Sequence, residues 1–199
     1  MAIVEPLSPT SEGRRRLGIR SPATRESVGE IVVNSQADVE LAIAKARDAQ
    51  VEWARVPIAE RARIVRGAID VLVDNRDEVV KTLIDETGKT HLESLIMEVL
   101  PSCDSINFWC GRAVKELSDE KRKLHGYLRP YKKLMMHYRP LGVVGIITPW
   151  NGPFSLAMNP TVQAILAGNV VILKPSVCVV PRTWSFSPGV DVPIPTSPA

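Results

Sequence analysis

The chain has 199 residues, of which 45% are hydrophobic and 24% are charged, so its composition lies in the globular range and allows one domain with a buried core. Its formal net charge of +3 is too small to indicate binding to nucleic acid or to an anionic membrane. Its three cysteines have no paired spacing, which favours free thiols in a reducing compartment, so we expect a cytoplasmic protein.

Residues 1–20 are rich in Ser, Pro and Arg, and we expect them to form an extended or disordered lead-in. They include Arg14 to Arg16 but no apolar segment of the kind that a secretory signal needs. No stretch of the chain approaches the ~18 apolar residues that span a membrane. We therefore expect neither a signal peptide nor a membrane segment.

Residues 21–120 are expected to be helical. Ser35 to Asp38 resembles a capping box, and apolar residues then recur at helical spacing as far as Trp53. A second helix is predicted from about Ile58 to Asn75. These helices would form the first part of an amphipathic helical layer.

Two more helices complete the predicted layer. The third follows Asn75 and extends to Thr87, where Gly88 ends it. Another begins near Thr90, and Pro101 should kink or break it, because proline cannot donate a main-chain hydrogen bond.

Residues 121–140 are strongly basic, with six Lys and Arg residues among the thirteen positions from Lys121 to Lys133. Tyr127 and Tyr131 lie between these basic residues. This pattern is compatible with nucleic-acid binding, since aromatic rings stack on bases while cations contact the backbone. The small net charge favours the alternative of an exposed hairpin, in which a strand begins near Lys133.

Residues 141–176 change to an α/β pattern. A strand to Ile147, a turn over 148–151, a helix over about 153–167 and a strand over 170–173 predict one βαβ unit. Asn151 and Lys174 follow the two strands, and ligands of open α/β sheets bind at the carboxyl ends of strands. From the residues alone, Asn151 is either a catalytic amide donor or a helix N-cap. Lys174 either binds a ligand or is an ordinary solvated lysine. Trp150 either lines a cofactor cleft or packs in the core.

These two strand ends resemble the aldehyde dehydrogenase superfamily, which has a Pro-Trp-Asn turn followed about two dozen residues later by a Gly-Asn…Lys-Pro-Ser segment. The likeness extends almost continuously from Ser21 to Ser176 and includes the Glu-Thr-Gly-Lys segment that ends at Lys89. It implies an α/β fold: an amino-terminal helical layer, an oligomerisation-type hairpin at 121–140, and the first, incomplete part of a Rossmann-like NAD(P)-binding domain at 141–176.

The resemblance also implies roles for single residues. The side-chain amide of Asn151 would donate to the oxyanion that forms when a cysteine thiolate attacks an aldehyde. Lys174 would bind the adenosine ribose hydroxyls of NAD or NADP. The other cofactor contacts would come from Ile146, Ile147, Thr148, Pro149, Trp150 and Ser176. The implied substrate is a small aldehyde, oxidised to a carboxylic acid, and the implied assembly is a homo-oligomer.

Part of the family pattern has no counterpart in this chain. Cys103, Cys110 and Cys178 all lack the family's Gly-Gln-x-Cys nucleophile context, and no residue can be assigned as the general-base glutamate. Residues 177–199 are proline-rich and depart from the family, beginning with Val177 where many members have Glu. We expect a truncated amino-terminal portion that is inactive alone, with the tail arising from a shifted reading frame or a mispredicted gene end.

The alternative to a dehydrogenase is a non-catalytic fragment or interaction module that pairs with full-length subunits through residues 121–140. A metal site is not expected, because the three histidines and the cysteines lack ligand spacing. Cys103 and Cys110 lie seven residues apart, and they are expected to pack as small apolar residues on one helix face.

Overall fold

The computed structural model describes residues 2–127 and 129–176. Three small sheets and a set of helices follow one another along the chain. The strands are β1 (Ile3–Leu7), β2 (Arg16–Arg20), β3 (Ser27–Val32), β4 (Glu120–Arg122), β5 (Leu134–Met136), β6 (Val143–Ile147) and β7 (Val170–Lys174). The helices are α1 (Gln36–Arg55), α2 (Ile58–Arg66), α3 (Ala68–Asp74), α4 (Arg76–Thr87), α5 (His91–Ser94), α6 (Leu100–Glu116) and α7 (Ser155–Leu166), with a π-helical segment at Leu95–Val99 between α5 and α6.

The amino-terminal residues form an antiparallel sheet in the order β1-β2-β3. Its small core is built on Ala2 and Ile19, with Val28 and Ile31 packed against them. Residues 2–20 are thus extended, one of the two states expected for the segment 1–20, and they belong to a sheet rather than to a disordered lead-in, while 21–120 begins with a strand rather than a helix. Composition gave no hint of the sheet, because its strands are stabilised by pairing with one another rather than by local preference.

The first helix begins where the sequence predicts. The Ser35 side chain accepts from the Asp38 N–H, and the Asp38 carboxylate accepts from the Ser35 N–H at 2.8 Å, which completes a capping box. The predicted second helix is divided into α2 and α3 at Gly67. The helix after it ends at Gly88, which has a φ of +73° and donates its N–H to the Ile84 carbonyl.

The irregularity expected at Pro101 takes the form of a π-helical segment instead of a break. Pro101 is the second residue of α6, which continues to Glu116. Just before it, the Leu100 N–H donates to the Leu95 carbonyl, five residues back. Pro101 has no N–H to donate, and the wider turn of the π segment just before it lets the helix continue past the missing hydrogen bond.

The carboxyl-terminal part of the described chain is the predicted βαβ unit. Strands β6 and β7 are parallel neighbours, with Val143 opposite Val170 and Ile147 opposite Lys174. Helix α7 connects them and packs on α6, so the unit is attached to the helical layer. Between the two parts, β4 and β5 form an antiparallel pair, as expected for the basic hairpin.

The main core lies between α1, α2, α6 and α7. Ile106 of α6 is fully buried, and Trp53, Val65, Val162 and other apolar residues surround it. The Trp53 indole N–H donates to the Ile165 carbonyl at 2.9 Å, which ties α1 to α7. Within the described residues, no helix has the length and apolar character needed to cross a membrane.

Candidate functional site

The carboxyl ends of β6 and β7 bring the predicted site segments together. The Thr148 N–H donates to the Lys174 carbonyl at 3.3 Å. The Ser176 hydroxyl donates to the Pro149 carbonyl at 2.9 Å. Parallel pairing places both strand ends at one edge of the sheet, so residues far apart in sequence form one surface.

This surface is open. The side chains of Ile147 and Trp150 are 79% and 52% exposed, and Asn151 and Lys174 are exposed too. Trp150 is therefore not packed in a core among the described residues, and its place in a cofactor cleft stays a prediction. Exposed apolar side chains beside an amide and an ammonium can contact a ligand with both apolar and polar parts.

Thr148 is the exception, because it is buried and its Oγ1 has no hydrogen-bond partner in the part of the chain that the structure describes. A buried hydroxyl without a partner is costly, and it can donate one hydrogen bond and accept two. It lies between Ile147 and Pro149, next to the Lys174 carbonyl.

Asn151 is not the N-cap of α7. Phe154 holds that position, and no side chain of the capping residue completes the cap. The Asn151 carbonyl accepts from the Lys89 ammonium at 2.9 Å. The main chain of Asn151 is thus held in place, while its exposed side chain can contact a ligand.

The carboxylate of Glu98 caps α7 in place of a local residue. Its Oε2 accepts from the N–H groups of Phe154 and Ser155 at 3.1 and 2.9 Å, and its Oε1 pairs with the Lys89 ammonium. Glu98 is completely buried, whereas Lys89 is 18% exposed. The helix end that often binds phosphate in nucleotide-binding folds is here occupied by the protein's own carboxylate.

Sequence reasoning missed Lys89 and Glu98 as site residues, although Lys89 lay in a segment that carried the family resemblance. No local pattern marked Glu98. Ser94 and Ser102, one turn away on either side, are buried polar residues as well, whereas Leu92, Ile96 and Leu100, which the apolar spacing would turn inward, are exposed. The pairing of its carboxylate could not be read from the sequence, because its partners come from two other segments, at Lys89 and at Phe154–Ser155.

The cysteines of α6 have the surroundings of packed side chains rather than nucleophiles. Burial raises the pKa of the Cys103 thiol, and it also raises that of Cys110, against a smaller opposing effect from Arg66. The reactive thiolate is therefore disfavoured at both positions.

Cys178 and the whole expected tail, 177–199, lie outside the described residues. In the described ranges, no three His, Cys, Asp or Glu side chains form a group that could hold a metal ion.

The hairpin presents an apolar surface as well as positive charge. Leu134, Met135 and Met136 of β5 are each between 41% and 43% exposed, and Tyr127 and Tyr131 are more than 80% exposed. Single exposed apolar residues are common, but adjacent ones on a short two-stranded sheet are typical of contact surfaces.

Comparison with known proteins gives a family match over most of the chain. The model of the Aldehyde dehydrogenase family matches residues 9–186. The chain belongs to the aldehyde dehydrogenase family. The match is wider at both ends than the expected 21–176, and it includes residues 177–186 of the segment expected to depart from the family.

Relatives of known name agree with this assignment. A protein of Mycobacterium tuberculosis named as a putative NADP(+) succinate-semialdehyde dehydrogenase is 37% identical over 152 residues, which is 76% of this chain and 29% of that protein. The 4,4'-diapolycopene aldehyde oxidase of a Methylomonas species is 34% identical over 156 residues, or 78% of this chain and 29% of the oxidase. The chain thus spans about three-tenths of the length of these relatives.

Solved structures give the same result for the fold. A Mycobacterium tuberculosis aldehyde dehydrogenase complexed with NAD+ superposes with a TM-score of 0.73 at 35% identity, covering 80% of this chain and 32% of that one. An NADP-dependent glyceraldehyde-3-phosphate dehydrogenase from Bacillus halodurans, complexed with NADP, has a TM-score of 0.75 at 29% identity and covers 84% and 35%. The expected fold class, a helical layer followed by an incomplete Rossmann-like unit, is confirmed.

Proposed function

We propose that this chain supplies the cofactor-binding side of an NAD(P)-dependent aldehyde dehydrogenase site, and that the complete protein oxidises a small aldehyde to a carboxylic acid. The observation that carries the proposal is the adjacency of the two strand ends, which places Thr148 to Asn151 beside Lys174 to Ser176. The cofactor is NAD or NADP, since relatives of both kinds superpose on the chain.

Each side chain at this edge has a chemical task in the proposal. The Lys174 ammonium can donate up to three hydrogen bonds, which suits paired ribose hydroxyls. Ile146, Ile147, Pro149 and Trp150 offer apolar surface to the cofactor, and Ser176 offers a polar contact. The Thr148 hydroxyl is buried and does not reach this surface. When bound, NAD(P)+ accepts a hydride from the substrate carbon.

Asn151 acts on the substrate rather than on the cofactor. Its side-chain amide makes no hydrogen bond within the described residues, so it is available to donate to the aldehyde oxygen as negative charge develops there. A fixed donor stabilises the transition state without first having to reorganise. The attacking thiolate and the general base would come from parts of the complete protein that are not among the residues described.

Cofactor titration of the purified chain tests the proposal. Calorimetry with NAD+ and with NADP+ should detect binding of at least one of them, and Lys174→Ala should weaken it by about tenfold, the loss of one charged hydrogen bond. Lys81→Ala is the matched control, because Lys81 is an exposed lysine of α4 that pairs with Asp85. Absence of binding to both cofactors, or equal effects of the two substitutions, would contradict the proposal.

The role of Asn151 predicts a different pattern. Asn151→Ala should leave cofactor affinity unchanged, since the amide serves the substrate. The chain alone should not reduce NAD(P)+ with any aldehyde. In a complete protein that contains this segment, the same substitution should lower kcat by about a hundredfold or more. A cofactor affinity that falls with Asn151→Ala would place the amide in the cofactor site instead.

A second candidate function is pairing with full-length subunits through residues 121–140, which the exposed apolar side chains of β5 favour. Analytical ultracentrifugation of the chain mixed with a full-length relative would detect a mixed complex. Met135→Asp, on the exposed strand, should abolish it, and an unchanged complex would exclude the hairpin as the contact. We also propose that the complete protein forms a homo-oligomer and lies in the cytoplasm.

A further inference from the structure

We propose that Glu98 and Lys89 are positioning residues that fix the main chain around Asn151 and the first turn of α7. The inference rests on the proposed function, because it concerns the geometry of the residue to which we assign the oxyanion. It adds two residues, neither of which lies in the Pro-Trp-Asn turn or in the Lys-Pro-Ser segment.

Glu98 lies in an irregular part of its helix. It belongs to the π-helical segment Leu95–Val99, and its own carbonyl accepts from the Ser102 hydroxyl at 2.6 Å. An i→i+5 turn changes the direction of its side chains relative to a regular helix, and such turns occur often at functional sites. Here the π segment directs a fully buried carboxylate at the beginning of α7.

Both carboxylate oxygens of Glu98 have partners. Phe154 and Ser155 donate their N–H groups to Oε2, and Lys89 pairs with Oε1. The beginning of α7 carries partial positive charge from its unpaired N–H groups, which favours an anion there. A buried carboxylate is tolerated only when such partners compensate for its lost hydration. All these contacts converge on the turn that follows Asn151.

Lys89 connects the carboxylate to Asn151 itself. Its ammonium donates to the Asn151 carbonyl at 2.9 Å while it pairs with Glu98. The residue before it, Gly88, ends α4 in the left-handed conformation, so the beginning of the lysine side chain is held by a helix terminus. Asn151 is therefore held at its own carbonyl and, three residues on, at the N–H of Phe154.

Amide hydrogen exchange measured by NMR on the 199-residue chain tests the proposal. Lys89→Met should raise the exchange rates of the Phe154 and Ser155 amides by about tenfold or more, because it removes the cation paired with Glu98 and the donor to the Asn151 carbonyl. The rate at Ile106, deep in the core of α6, should not change. Lys89→Arg should return most of the protection, because it restores a cation and its donors.

The matched control is Lys81→Met, which removes a lysine from an exposed pair with Asp85 and should leave Phe154 and Ser155 unchanged. If Lys89→Met fails to fold, the double variant Lys89→Met/Glu98→Leu leaves no unpaired buried charge and should show the same local loss of protection. Equal exchange in Lys89→Met and Lys81→Met would overturn the proposal, as would a uniform rise that includes Ile106.

The exchange measurement is independent of the cofactor titration. If the chain binds neither NAD+ nor NADP+ but Lys89→Met still opens the first turn of α7, the proposed function fails and the positioning network stands. If the chain binds cofactor and exchange at Phe154 and Ser155 does not respond to Lys89→Met, the positioning proposal fails alone.

Discussion

Replacing Gly168 by alanine should destabilise the chain, and the structure separates two reasons for it. Gly168 lies in the turn between α7 and β7 with a φ of +90°, a conformation that residues with a Cβ rarely adopt. An added Cβ would also lie 2.5 Å from Nη1 and 3.2 Å from Cζ of Arg61, with Pro140 Cβ at 3.5 Å. Arg61 is only 5% exposed, so it has little room to move aside.

The magnitude follows from adding the two effects. The left-handed backbone costs a residue with a Cβ about 1–2 kcal/mol. Forcing an extra methyl group into a packed region costs about 1–3 kcal/mol more. We therefore expect the free energy of unfolding to fall by about 2–5 kcal/mol in Gly168→Ala.

Urea unfolding of matched variants separates these two costs. Gly13→Ala has a similar φ of +76° but no atom within 4 Å of the added Cβ, so it should lose only the backbone cost of about 1–2 kcal/mol. Burial lowers the pKa of the Arg61 guanidinium, and its Nε has no partner among the described residues, so Arg61→Met should be tolerated. In that background, Gly168→Ala should approach the cost of Gly13→Ala. Equal losses in the two single variants would refute the assignment of the extra cost to Arg61.

Three other predictions concern the core and its thiols. Ile106→Ala should cost about 2–5 kcal/mol in urea unfolding, because it leaves a cavity at a fully buried site between α2, α6 and α7. Trp53→Phe should cost about 1 kcal/mol, since the Ile165 carbonyl loses its indole donor. Burial raises the pKa of Cys103 and Cys110, so their labelling by a thiol reagent should be slower in the native chain than in urea, and stability should fall as pH rises above about 9.

Each of these has a result that would count against it. Ile106→Val serves as the conservative control for the cavity and should cost about 0.5–1.5 kcal/mol, so equal losses from the two variants would argue against a packed site. A Trp53→Phe variant as stable as the parent would mean that its hydrogen bond contributes nothing net. Native labelling as fast as labelling in urea would contradict burial of the thiols.

Much of the fold follows from local patterns in the sequence. The capping box at Ser35, the helix end at Gly88 and the βαβ unit from 143 to 174 all lie where the residues predict. These features depend on contacts within a few residues or on strong apolar periodicity, so short-range chemistry is enough to specify them. The family resemblance was readable for the same reason, because its motifs are short and contiguous.

The amino-terminal sheet and the division of the second helix at Gly67 were not readable in this way. The sheet depends on pairing among three segments, each short and interrupted by a weak strand former: Pro6, Gly18 or Gly29. Gly67 is only a weak helix breaker, and a single glycine inside a helical pattern does not decide between a kink and an uninterrupted helix.

The sequence by itself determined which chemical groups the candidate site contains: an amide at Asn151, an ammonium at Lys174 and apolar residues before each. Only the tertiary structure decided how they are held. Parallel pairing joins the two strand ends, and Glu98 reaches from the π-helical segment to the first turn of α7 while Lys89 connects it to Asn151. The physical reason is that a buried charge must be compensated, and its partners here are distant in sequence and adjacent only after folding.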